Sequence, residues 1–182
     1  GNGKGGGPPP KSEEPTTLCA MSDIGQTEGS CYGWVWGNYN GGSGDQNAFS
    51  ASVLNTLLDV DTFTGPTLTW KENLGSISGN TVDFATTLYG LTVVAFHVGG
   101  AGGEENGVGY QSTAWYVFDA GTTGVDVLSF NRAGLSNARL YSTGAPPCLT
   151  CNAVPEPSAW ALMILGFGAV GAIVRRRRWA LA

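Results

Sequence analysis

Basic residues are scarce in this chain and histidine is scarcer. The 182 residues include nine lysines and arginines against 14 acidic groups, and His97 is the sole imidazole. Arg175, Arg176, Arg177 and Arg178 are consecutive near the C-terminus, so the chain up to Val154 carries a formal charge of −8 and the remainder +3. An acidic body has no patch able to neutralise phosphates, which excludes a nucleic-acid partner. One imidazole cannot build a multi-histidine metal site. The chain also lacks Gly-x-Ser-x-Gly, and no cysteine adjoins His97 in sequence, so nothing local signals an activated nucleophile. No cofactor signature is present. Gly166, Gly168 and Gly171 do spell Gly-x-Gly-x-x-Gly, but within an apolar run rather than between the strand and helix of a βαβ unit.

Glycine, by contrast, is abundant at 29 residues, and six tryptophans accompany it while charged residues make up only 13%. That balance predicts an all-β body with many turns. Residues 1–30 are assigned to a leader or linker, because the Gly-Gly-Gly-Pro-Pro-Pro-Lys-Ser-Glu-Glu-Pro stretch offers little apolar surface to offset the entropy of ordering. From Cys31 onward aromatic and β-branched runs alternate with Gly, Asn, Asp and Ser clusters. Leu68, Trp70 and Leu74, then Val82, Phe84 and Leu88, predict two neighbouring antiparallel strands joined as a hairpin. Leu91 to Val98 reads as a central strand covered on both faces, followed by a glycine-rich loop to Gly109. Further strands are expected over 113–119, 125–130 and 137–142. Val53, Leu54, Leu57 and Leu58 have helical spacing, which predicts a short helix from Ser50 to Leu58. The predicted fold is an antiparallel β-sandwich ectodomain with jelly-roll or Greek-key connections over residues 31–143, a Cys/Pro linker over 144–154, and one C-terminal transmembrane helix.

The final segment is tripartite. Pro155, Glu156 and Pro157 form an extended motif, because proline disfavours helix in the residue before it. Residues 159–174 then carry no charge, and at about 1.5 Å per residue they would reach roughly 24 Å, short of a full hydrocarbon core. Trp160 at one interface and the snorkelling side chains of Arg175–Arg178 at the other make the span workable, and the arginines hold their end in the cytoplasm. Gly166, Gly168 and Gly171 suit close approach to another membrane helix. This arrangement closely resembles the PEP-CTERM signal of Gram-negative bacteria. The resemblance covers residues 155–182 and implies a membrane-embedded exosortase as partner. It further implies a precursor in the inner membrane with its body in the periplasm, then a product at the cell surface or outside the cell. Export in turn implies an N-terminal signal that has been removed or omitted.

In an oxidising compartment the four cysteines read as disulfides. Cys19–Cys31 and Cys148–Cys151 are the favoured pairs, with cross-pairings open because four cysteines allow three connectivities. The alternatives, a zinc site or a redox pair, lack a second closely spaced pair and a βαβ context. Asn38, Asn40, Asp45, Asp59 and Asp61 offer oxygen ligands, but their spacing fails the calcium-loop pattern and they read as turns. His97 reads as a half-buried strand histidine. Adjacent Glu104 and Glu105 would point to opposite faces of a strand and do not form a glycosidase pair. Trp34 and Trp36 would share a strand face, where exposed aromatics could contact a glycan.

The body is also similar to ectodomains carried by such tails, with an aromatic start, a Trp-Lys strand, a glycine-rich loop and the closing run Ala138-Arg139-Leu140-Tyr141-Ser142. That resemblance implies a non-enzymatic structural or adhesive role in a biofilm or exopolysaccharide matrix. A lectin-like carbohydrate-binding module is the alternative, and an exopolysaccharide hydrolase comes third.

Overall fold

The computed structural model describes residues 14–99 and 111–146, together with Leu165 and Phe167 of the tail. The chain divides into a body, Gly1–Pro147, and a C-terminal unit, Cys148–Ala182. The body contains β1 (Pro15–Thr17), β2 (Ser30–Cys31), β3 (Trp34–Trp36), α1 (Gly44–Leu58), β4 (Glu72–Leu74), β5 (Thr81–Leu88), β6 (Leu91–Val98), β7 (Ser112–Asp119), β8 (Val125–Ser129) and β9 (Leu135–Ser142). Two short 3-10 turns, Met21–Ile24 and Gly65–Thr67, connect them. The class expected from the sequence holds: the described residues are mostly antiparallel sheet, with one α-helix.

Seven strands make one sheet in the order β1-β3-β7-β6-β9-β4, with β2 also on β7, while β5 and β8 form a separate two-stranded ribbon. The central position of β6 follows from its composition. Its alternate residues serve two different cores: Val94, Phe96 and Val98 face one, Val93 and Ala95 the other. β7 repeats the division, with Ala114, Tyr116 and Phe118 on the first side and Trp115 and Val117 on the second. The ribbon covers the first side through Val82, Phe84, Leu88 and Leu128. Helix α1 covers the second through Ala51, Val53 and Leu54. A strand buried on both faces is apolar at most positions rather than at every second one.

Aromatic packing dominates both layers. On the ribbon side the rings of Trp34, Phe96, Tyr116 and Phe130 meet at centroid separations of 5.6 to 6.4 Å. On the helix side Tyr32, Tyr39, Phe49 and Trp115 meet at 4.6 to 6.3 Å. Full burial of each large side chain contributes about 1.5–3 kcal/mol, with a further ~0.5–1.5 kcal/mol for a well-oriented aromatic pair.

The structure corrects the sequence reading in three places. First, the expected hairpin does not form: β4 pairs with β9 (Asn73 opposite Arg139) and β5 with β8 (Val82 opposite Leu128). Both pairings bury the same alternating faces, so periodicity could not choose between them. The two segments do touch through Glu72, whose carboxylate accepts hydrogen bonds from the backbone N–H groups of Ala85 and Thr86 at 2.7 and 3.2 Å.

Second, α1 begins at Gly44 rather than Ser50, because Gln46 reaches back to accept a 2.9 Å hydrogen bond from the Ser43 N–H. This Ser-x-x-Gln arrangement is a helix-start signal that was legible in the sequence. Third, part of the supposed leader is folded. β1 pairs with β3, and Ile24 is fully buried in the ribbon-side core. Asp23 fixes that segment by accepting from the Ala20 N–H at 3.0 Å and the Tyr116 hydroxyl at 3.2 Å.

Candidate functional site

Two regions of the chain bear on function, the C-terminal tail and the polar surface and interior around β9. Strand β9 leads directly to the tail, and its exit is pinned. Thr143 Oγ1 accepts from the Tyr89 N–H at 2.7 Å, and the Gly144 N–H donates to the Tyr89 carbonyl at 2.6 Å. A Cβ at Gly144 would lie 2.6 Å from that same carbonyl oxygen, so only glycine permits this close approach. Ten residues, 145–154, separate the pinned exit from Pro155.

The sorting motif Pro155, Glu156 and Pro157, the anchor residues Trp160, Gly166, Gly168 and Gly171, and the basic stop Arg175–Arg178 all lie outside the described residues. So do the Cys148–Cys151 pair and Glu104 and Glu105. Within the predicted span, Leu165 and Phe167 are described, and both are helical and exposed. Among the described residues no helix is long and apolar enough to cross a membrane.

A comparison with protein families gives the tail its meaning. Residues 153–178 match the model of the PEP-CTERM protein-sorting motif. The chain carries a PEP-CTERM sorting tail. No curated protein and no solved structure matches the chain. The PEP-CTERM tail supports exosortase-dependent sorting of an exported protein, from a membrane-anchored precursor to a surface or extracellular product. It assigns nothing to the body.

In the body, the Cys19–Cys31 disulfide forms as expected, with 6.2 Å between Cα atoms. It ties the turn after β1 to β2, on the sheet next to the segment that carries Ile24. The tryptophan expectation needs correction. Trp34 has no exposed surface and sits in the ribbon-side core, where it offers no face to a sugar ring, and Trp36 is half-buried. Trp115 is likewise fully buried, so Trp70, 38% exposed, is the described body tryptophan that presents most surface.

His97 is more deeply placed than expected, at 2% exposure. Its Nδ1 lies 3.2 Å from Thr113 Oγ1, and Thr113 Oγ1 donates to the Gly37 carbonyl at 2.7 Å. Burial lowers its pKa to about 4, against a smaller raising effect from hydrogen bonds with the Ser112 backbone and the Gln111 side chain. The imidazole is therefore neutral at ordinary pH and serves the fold. Asn38, Asn40, Asp45 and Asp59 occupy structural positions. Asn38 Oδ1 accepts from the Asn40 N–H at 3.0 Å, Asp45 sits in the first turn of α1, and Asp59 ends that helix with φ of 52°. Among the described residues no group of three acidic, cysteine or histidine side chains converges on a metal position.

Two cations, one half-buried and one fully buried, were not singled out by the sequence reading. Arg132 Nε stands 2.8 Å from Asp23 Oδ1 as an ion pair, although the N–H is not aligned for a hydrogen bond. Tyr116 donates to the same carboxylate, and burial first, then the Asp23 charge and hydrogen bond, push its phenol well above the usual tyrosine range. Arg139 is the second. It is 1% exposed on β9, lies against the Trp70 ring at 4.0 Å and donates through Nη2 to the Asn40 carbonyl. No local pattern marked Arg139, because strand alternation alone places it opposite Leu140 and leaves open whether that side is covered.

Proposed function

We propose that this chain is a non-catalytic surface or extracellular-matrix protein, delivered by its PEP-CTERM tail and acting as an adhesive or structural component among exopolysaccharide. The observation that carries the reading is the match of residues 153–178 to the sorting motif. The body supports it by its construction: a ribbon and a broad sheet share one apolar layer, a sandwich-like arrangement closed on its other side by α1. The Cys19–Cys31 disulfide suits an oxidising environment.

The test is the mature C-terminus. The full chain is expressed with and without a matching exosortase, and intact masses are read from membrane and extracellular fractions. A released species ending near Pro155–Pro157, lacking the apolar segment and Arg175–Arg178, is expected only with the enzyme. Replacing Pro155, Glu156 or Pro157 by alanine is expected to leave the chain uncut in the membrane. A chain intact to Ala182 in both strains would overturn the reading.

A lectin-like module is the second reading, and the exposure of Trp70 favours it over the buried Trp34. The Arg139 guanidinium beneath the indole holds the ring in place. Glycan-array binding that disappears in Trp70→Ala, in a variant that stays folded, would select this reading. Retained binding would remove Trp70 from it.

A further inference from the structure

The helix-side core is not full. Between the last turns of α1, the segment 63–69 and the sheet lies a cleft of about 230 Å³. The residues that line it divide by burial. Leu54 and Val93 are 1% exposed, Leu68 6% and Tyr141 7%, with Leu58 and Phe63 half-buried beside them, whereas Thr67, Thr69 and Ser142 are exposed and form a hydroxyl rim. The walls are fixed by contacts of their own. Asn55 on α1 clasps the loop: its Nδ2 donates to the Phe63 carbonyl at 3.0 Å, and its Oδ1 accepts from the N–H groups of Phe63 at 3.0 Å and Thr62 at 3.3 Å. The Leu68 N–H donates to the Thr64 carbonyl at 2.8 Å and closes the turn between them. Gly65 already rests on the helix, since a Cβ there would lie 2.8 Å from Ala48 Cα. The loop has no room to sink further, so the cleft is preformed.

Tyr141 lines this cleft, and its hydroxyl is buried without a hydrogen-bond partner among the described residues. A buried hydroxyl costs free energy until it is paired, and apolar walls forfeit dispersion contacts until the space between them is filled. A ligand with an apolar body and one acceptor satisfies both. We infer that the body binds a short unbranched acyl chain with an uncharged ester or amide head, the chain against Leu54, Leu68 and Val93 and its carbonyl oxygen accepting from the Tyr141 hydroxyl. Mostly apolar walls with a few placed polar groups are the usual construction of a small-molecule site. The remaining features set the class. An apolar cavity of roughly 150 Å³ takes a benzene-sized guest, so this cleft limits the chain to a few carbons. The rim hydroxyls keep the polar end of the ligand wet. No charged side chain is among the described residues that line the cleft, and a charged head drawn in would be costly to desolvate. This site is separate from delivery by the tail and from the Trp70 surface.

The experiment places the full chain in lipid nanodiscs and dialyses it against the N-methyl amides of the straight-chain acids from butanoic to octanoic, which fixes the free concentration. Methyl-resolved NMR reads Leu54, Leu68 and Val93. Saturable shifts are expected at these methyls, with Kd falling about fourfold for each added methylene until the chain outgrows the cleft. This series needs no variant. Thr69→Trp adds bulk at the exposed rim, away from the core, and is expected to abolish the shifts. Tyr141→Phe keeps the ring and is expected to weaken amide binding about fivefold while leaving n-pentane binding unchanged, a split that a purely structural hydroxyl would not produce. No saturable shift at the cleft methyls, a Kd indifferent to chain length, equal effects of Tyr141→Phe on amide and hydrocarbon, or tighter binding of octanoate than of its amide would overturn the proposal.

Discussion

Replacing Trp34 separates a core residue from a binding residue. Its side chain has no exposed surface and packs edge-on against Tyr116 and Phe130, with ring centroids at 6.4 and 6.0 Å. The Arg132 guanidinium lies 5.8 Å from the ring. Truncation to alanine removes the whole indole from a layer with little freedom to collapse, since β3, β7 and the ribbon all meet there. The expected destabilisation is about 3–5 kcal/mol, a large fraction of the stability of an ordinary domain. Trp34→Phe is the informative companion. Trp34 Nε1 is buried without a hydrogen-bond partner, so phenylalanine removes an orphaned donor while keeping most of the ring. The two effects oppose each other, and the net loss should be about 1 kcal/mol or less. Urea denaturation followed by tryptophan fluorescence and by circular dichroism measures both variants. Equal losses for the two substitutions, or a Trp34→Ala variant within about 1 kcal/mol of the parent, would refute the buried placement and return Trp34 to the list of surface aromatics.

The Cys19–Cys31 disulfide spans a sequence separation of 12, so its replacement by a serine pair should lower stability by about 3 kcal/mol in the chain-entropy picture, read as a fall in the urea midpoint. His97 should impose a pH dependence: its folded pKa of about 4 lies below the ordinary 6.5, so the unfolded chain binds the extra proton first as pH falls. Stability is then fully present above pH about 6.5 and is lost as pH descends toward 4, by about 3 kcal/mol in total, and His97→Asn should flatten that part of the profile. Gly144→Ala should loosen the exit of β9, because the new Cβ must displace the Tyr89 carbonyl 2.6 Å away. A loss of about 1–3 kcal/mol is expected, with faster amide exchange at position 144.

The destination of the chain was written in the sequence. Pro155–Pro157, the uncharged run and Arg175–Arg178 act through composition and order along the chain, and a membrane and a processing enzyme read such features without needing a tertiary fold. The central place of β6 was equally legible, since a nearly continuous apolar strand leaves no side for water to cover. Strands β7, β8 and β9 were also found, from aromatic and β-branched runs bounded by turn residues, signals that act locally.

Partner choice was not legible. β4 prefers β9 and β5 prefers β8 because the sheet order is settled by which complete faces can be covered together, and any alternating strand satisfies the local pattern. Whether Trp34 is a core residue or a sugar platform, and whether Arg139 is wet or enclosed, depended on β7, α1 and the Asn40–Ser43 loop arriving from distant parts of the chain. Period and propensity say which residues share a face. Only the assembled layers decide whether that face meets solvent, and here they enclosed a strand arginine against the Trp70 ring.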